Sequence, residues 1–205
     1  MSRLICYITG CLVLLLASAI ILIRAQPYDD HTIRAILLPS DCSAPCFMGI
    51  RPGVTQMREA SALLEANPWV GSMNAYIDSG CCTIAINWQW NGKQPAVLEN
   101  GTNTIYFTYD PNTGIQTVQN IALHTRIPVG YAILVLGAWP PVDAGVLQGL
   151  DSAYVEVFYR NQFVHMTTTA ACPLTRWELW QEPMTLALNI SSQNISGMKK
   201  MGQVC

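Results

Sequence analysis

Cysteine is the residue type with the most chemistry to offer in this chain of 205 residues, where eight occur. Cys6 and Cys11 lie in an apolar leader, which leaves an even set beyond it: Cys42, Cys46, Cys81, Cys82, Cys172 and Cys205. In an oxidising compartment such a set reads as a disulfide framework, with its connectivity open. A bridge from the Cys42/Cys46 segment to Cys81 or Cys82 is expected. Two thiolates at the spacing of Cys42 and Cys46 also suit a soft metal such as copper. Only Met48, a weak thioether ligand, follows at close range, so a structural disulfide is preferred and no metal is expected. Cys81 and Cys82 are adjacent, and on a strand their sulfurs point to opposite faces and to different partners.

The other reactive types are scattered. His31, His124 and His165 are far apart, and no Gly-x-Ser-x-Gly elbow, His-Glu-x-x-His helix or Cys-x-x-Cys pair accompanies them. No catalytic residue and no cofactor site is therefore assigned. Glu178 and Glu182 would share one face of a helix beside Trp177 and Trp180, where solvated surface carboxylates are expected rather than an acid/base pair. Of six tryptophans, Trp88 and Trp90 share a strand face with Ile84 and Ile86 and are expected in the core. Trp139, Trp177 and Trp180 are less constrained and are the candidates for a binding surface. Asn100, Asn189 and Asn194 each open a glycosylation triplet.

The elements that must position these residues begin with the leader. Leu4 to Ile23 is a continuous run of apolar and small residues between Arg3 and Arg24, and at ~1.5 Å per helical residue it reaches ~30 Å, one hydrocarbon core. Its length favours a retained signal-anchor over a signal peptide cut after Ala19 or Ala25, or over lipidation at Cys11. Asp29 and Asp30, together with the disulfide-type cysteines, favour a carboxyl-terminal domain outside the cytoplasm. The bilayer, met through residues 4–23, is the first partner.

Past a loop dense in Cys, Pro and Gly, Thr55 is expected to cap a helix carrying Met57, Ala60, Leu63 and Leu64 and ended by Asn67-Pro68. From Cys81 the period becomes two, giving a strand through Trp90 that stops at Asn91-Gly92. Thr104 to Tyr109 and Ile115 to Leu123 form a hairpin across Asp110-Pro111-Asn112-Thr113-Gly114. Pro128 to Gly137 reads as a short buried helix, and strands follow at Tyr154 to Tyr159, Phe163 to Thr168 and Met184 to Ile190. Both helices pass through a stop residue to Trp, Pro and Val. A helix followed by a meander, twice over, is one reading of that layout, and ordinary stop signals are the other.

The 13 acids outnumber the 11 basic residues, two of which only flank the leader, and Lys199-Lys200 is the sole basic doublet. Nothing would hold a phosphate backbone, so nucleic acid is excluded as a partner. The expected class is α+β: a transmembrane signal-anchor helix, then an antiparallel-sheet domain with two short helices. The divisions are leader 1–25, juxtamembrane connector 26–40, extracytoplasmic domain 41–190 and polar tail 191–205.

The helix opening Gly53-Val54-Thr55 with Glu59, Leu63, Leu64 and Pro68 resembles that of small exported domains of the β-lactamase-inhibitor-protein and outer-membrane-assembly-lipoprotein type. Asp41 to Val70 as a whole resembles uncharacterised exported or membrane-anchored bacterial proteins with a Cys-x-x-Pro-Cys-aromatic-x-Gly-Ile-x-Pro-Gly segment. The resemblance implies a binding or assembly module rather than an enzyme. The expected function is a membrane-anchored, extracytoplasmic protein-binding module or accessory subunit, partnered by a membrane or envelope protein. A secreted glycan-binding domain and an exported enzyme are the alternatives.

Overall fold

The computed structural model describes residues 2–25, 30–78, 83–137, 143–148, 152–159, 163–173 and 175–189. Two units divide at residues 30 and 31. The first holds helix α1, Ser2–Ala25, on which Tyr7, Leu14, Leu15 and Ile21 are exposed. Among the described residues no helix is long and apolar enough to cross a membrane.

The second unit is α+β. Helices α2 (His31–Leu37) and α3 (Met57–Ala66) precede strands β1 (Val70–Asp78), β2 (Thr83–Trp90), β3 (Asn103–Tyr109) and β4 (Gln116–Pro128). Helix α4 (Val129–Leu136) opens a second run, β5 (Asp143–Gln148), β6 (Ser152–Tyr159) and β7 (Val164–Ala171), then α5 (Arg176–Gln181) and β8 (Pro183–Asn189). Among the described residues, the eight strands form one sheet in the order β1-β2-β3-β4-β8-β7-β6-β5, and every neighbouring pair is antiparallel. Each run of four strands is a meander, and the two meet along their last strands, β4 and β8.

Period-two alternation sorts the side chains. Ile86 and Trp88 on β2, Ile105 and Phe107 on β3, Ile121 and Leu123 on β4, and Leu186 and Leu188 on β8 point to one face. The buried side chains of α2, α3 and α4 join that same cluster, so the connector stretch around Ile33 to Leu37 packs on the domain. Trp88 and Trp90 meet edge to face at 5.7 Å, and both are core as expected. At the end of α4, Gly137 takes φ +69°, a left-handed conformation that caps the helix at little steric cost.

Several expectations need correcting. Thr55 is not the helix cap: Gln56 occupies that position and makes no side-chain cap bond. The Thr55 hydroxyl instead accepts the Arg51 backbone N–H at 2.9 Å, buried inside the loop that precedes the helix. Cys42 is bonded to Cys46, with 6.2 Å between their Cα atoms, which removes the expected bridge to Cys81 or Cys82. Cys172 is also disulfide-bonded. Cys81, Cys82 and Cys205 lie outside the described residues. Strands β1 and β5 were not expected, and β4 runs five residues past Leu123 to Pro128. Glu178 and Glu182 do not share a helix face, because α5 ends at Gln181.

Candidate functional site

The face of the sheet opposite the helices is built by the alternate residues, and register fixes its composition. Asn74, Asn87, Thr104, Ala122, Ala187, His165 and Phe158 stand directly opposite one another in a single row from β1 to β6. A parallel row runs Tyr76, Ala85, Tyr106, Asn120, Asn189. Directly opposed side chains lie on one face and within contact range. The surface is thus amide, hydroxyl, aromatic and methyl, with two alanines at its middle. Thr104 donates to Asn87 Oδ1 at 2.8 Å. Asn120 Oδ1 and Asn189 Nδ2, in the opposed pair at the β4–β8 seam, are buried and make no hydrogen bond. A buried acceptor and donor left unmade carry a desolvation penalty of about 1–3 kcal/mol each.

The one carboxylate that alternation places on this face among the described residues of β6 is Glu156, and it is paired. Glu156 Oε1 meets His165 Nε2, the two being diagonal neighbours on β6 and β7, 7% and 8% exposed. Phe158 packs edge to face on the imidazole with centroids 6.3 Å apart. Burial pulls His165 below its ordinary pKa of 6.5, while the adjacent carboxylate pulls the other way. Lowered in this way, the imidazole is mainly neutral at pH 7 and presents Nε2–H to the carboxylate.

A cleft opens beside this pair where the sheet forks. Pairing of β7 with β8 ends at Thr167 opposite Thr185, and pairing of β4 with β8 is interrupted between His124 and Pro128. Two threonine hydroxyls replace the missing ladder: Thr125 donates to the Met184 carbonyl at 2.7 Å, and Thr168 to the Pro183 carbonyl at 2.8 Å. The cavity held open there is about 240 Å³, lined by Glu99, Tyr154, Thr167, Thr169, Glu182 and Thr185 together with those two threonines, Pro183 and Met184. That is below the roughly 300 Å³ at which pockets for drug-sized ligands begin, so it suits one small group. His124 stands at its edge, Nδ1 3.5 Å from the Thr185 hydroxyl.

The residues singled out from sequence fall elsewhere. Trp180 is half-buried with its ring laid against Gly130 of α4. Trp139 and the side chain of Trp177 lie outside the described residues. Glu178 closes a capping box with Thr175, whose hydroxyl and backbone N–H hold its carboxyl below the usual range. Asn189, 4% exposed, is buried and so closed to a glycan, whereas Asn100 is exposed and Asn194 lies outside the described residues. No group of three or more metal-ligating side chains is found among the described residues. Sequence reasoning missed the Glu156–His165 pair: a link of Arg160-Asn161-Gln162 sets Tyr159 opposite Phe163, one residue off the register observed, in which Tyr159 faces Val164 and Phe158 faces His165. No protein-family model, curated protein or solved structure matches this chain.

Proposed function

We propose that this chain is a non-catalytic recognition module, tethered to a bilayer by α1, whose extracytoplasmic domain engages a membrane or envelope protein through the sheet face opposite the helices. The observation that carries the reading is the make-up of that face. Tyr76, Tyr106 and Tyr154 supply large, stiff contact area, while Asn74, Asn87, Thr104 and Asn120 supply adaptable hydrogen bonding, the chemistry that interfaces concentrate where charge is depleted. Tethering raises local concentration, so modest affinity suffices. The resemblance of the helix opening at Gly53-Val54-Thr55 to that of small exported domains of the β-lactamase-inhibitor-protein and outer-membrane-assembly-lipoprotein type supports the reading.

The test places a photo-reactive amino acid at Asn87 or Thr104, and as control at Glu65 on α3, in the full chain in its own membranes. One discrete adduct is expected from the sheet positions and not from Glu65, and the change Tyr106→Ala should abolish it. Equal labelling from both sides of the domain, or recovery of the full-length chain away from membranes, refutes the proposal.

A further inference from the structure

We infer that the cleft at the fork of β4, β7 and β8 binds a primary ammonium group, with Glu99 and Glu182 as counter-ions and the hydroxyls of Thr167, Thr169 and Thr185 accepting its N–H bonds. An ammonium has three donors and no acceptor, so it needs a wall of acceptors. This cavity offers one: no lysine or arginine lines it, two glutamates do, and His124 stands only at its edge against the Thr185 hydroxyl. Neither carboxylate is in an ion pair among the described residues, while the backbone N–H of each is already committed, that of Glu99 to the His124 carbonyl and that of Glu182 to the Glu178 carbonyl. Behind the wall, Glu156 stands directly opposite Thr167 and deepens the negative potential.

Two features favour an ammonium over a metal cation. The carbonyls of Pro183 and Met184, the obvious hard ligands, already accept from Thr168 and Thr125. Tyr154 adds an aromatic wall, which attracts an alkylammonium through its ring face. The volume of about 240 Å³ admits the end of an alkylamine chain and little more. Only the source of the group rests on the recognition reading above: a lysine side chain of the partner protein, or else a free diamine.

The experiment titrates the full chain in detergent micelles with Nα-acetyl-lysine amide and with 1,5-diaminopentane, using the corresponding Nε-acetylated lysine as the neutral control and following amide shifts of β7 and β8. Saturable binding of both ammonium probes and none of the control is expected. Glu99→Gln and Glu182→Gln should each weaken binding about threefold to fivefold, as for partly exposed ion pairs, and the double variant about tenfold to twenty-fivefold. Glu65→Gln should leave it unchanged, and unchanged melting of all variants shows that they are folded. The tighter probe assigns the source. Equal binding of the acetylated control, full affinity in the double variant, no saturation by either amine, or a response to calcium alone overturns the inference. Loss of amine binding with cross-linking from Asn87 intact removes this inference alone, and the converse removes only the recognition reading.

Discussion

Glu156 and His165 are diagonal neighbours on adjacent strands, and each is more than nine-tenths buried, so the carboxylate and the imidazole have little but each other and the ring of Phe158. Because burial sets the folded imidazole below the 6.5 of an exposed histidine, the unfolded chain binds the proton more readily. The contribution of His165 to stability is therefore fully present above about pH 7 and is lost as pH falls through 6.5 toward the lower folded value. Melting temperature followed from pH 7.5 to 5.5 should drop, and the His165→Gln variant should drop less. An equal decline in both would place the titrating group elsewhere.

Thr55 holds the loop before α3 through the Arg51 N–H. Thr55→Val keeps the shape and removes the acceptor, leaving a buried donor unmade, and should cost about 1–3 kcal/mol in urea unfolding. Thr55→Ser should retain most of the wild-type stability. If serine is as damaging as valine, the methyl group matters and the hydroxyl does not.

Gly130 lies so close under the Trp180 ring that a Cβ there would overlap Cε2, Cδ2 and Nε1 of the indole. Gly130→Ala must push the ring off α4, with a cost of about 1–3 kcal/mol and a shifted tryptophan emission. Adding Trp180→Leu should recover part of the loss. A neutral Gly130→Ala would mean that α5 moves freely on α4.

Trp88 is 1% exposed at the centre of the helix-side core. Trp88→Ala should lower stability by about 3–5 kcal/mol, measured by chemical denaturation. A loss under about 1 kcal/mol would contradict its burial.

The parts legible in the sequence are those governed by local periodicity. Ile84, Ile86, Trp88 and Trp90 announce β2, and Gly137 announces the end of α4, because alternation and left-handed caps are written over a few residues. Strand β1 was not legible: Val70-Gly71-Ser72-Met73-Asn74-Ala75-Tyr76-Ile77 is poor in β-branched residues and does not alternate cleanly, so its pairing with β2 outweighs its own propensity. Thr55 misled because a hydroxyl next to a helix start is the usual signal of a cap, and here it serves the loop instead. The cleft was beyond reach, since Thr125 and Met184 are 59 residues apart and only the order of strands brings them together. Glu156 and His165 lay in between: their strands were visible, but the three-residue link read between them sets a register one residue off, which turns the two side chains to opposite faces.

The seam between β4 and β8 has a consequence for biogenesis. The last strand among the described residues takes a place in the middle of the sheet, so while the chain is being made the flank of β4 waits unpaired for the whole second meander to arrive. A product ending before Pro183 would keep that flank open along residues 120–128, a ready template for aggregation. Residues 183–189 therefore act as the closing clasp of the domain, and premature stops just upstream of them should be far more harmful than their small number suggests.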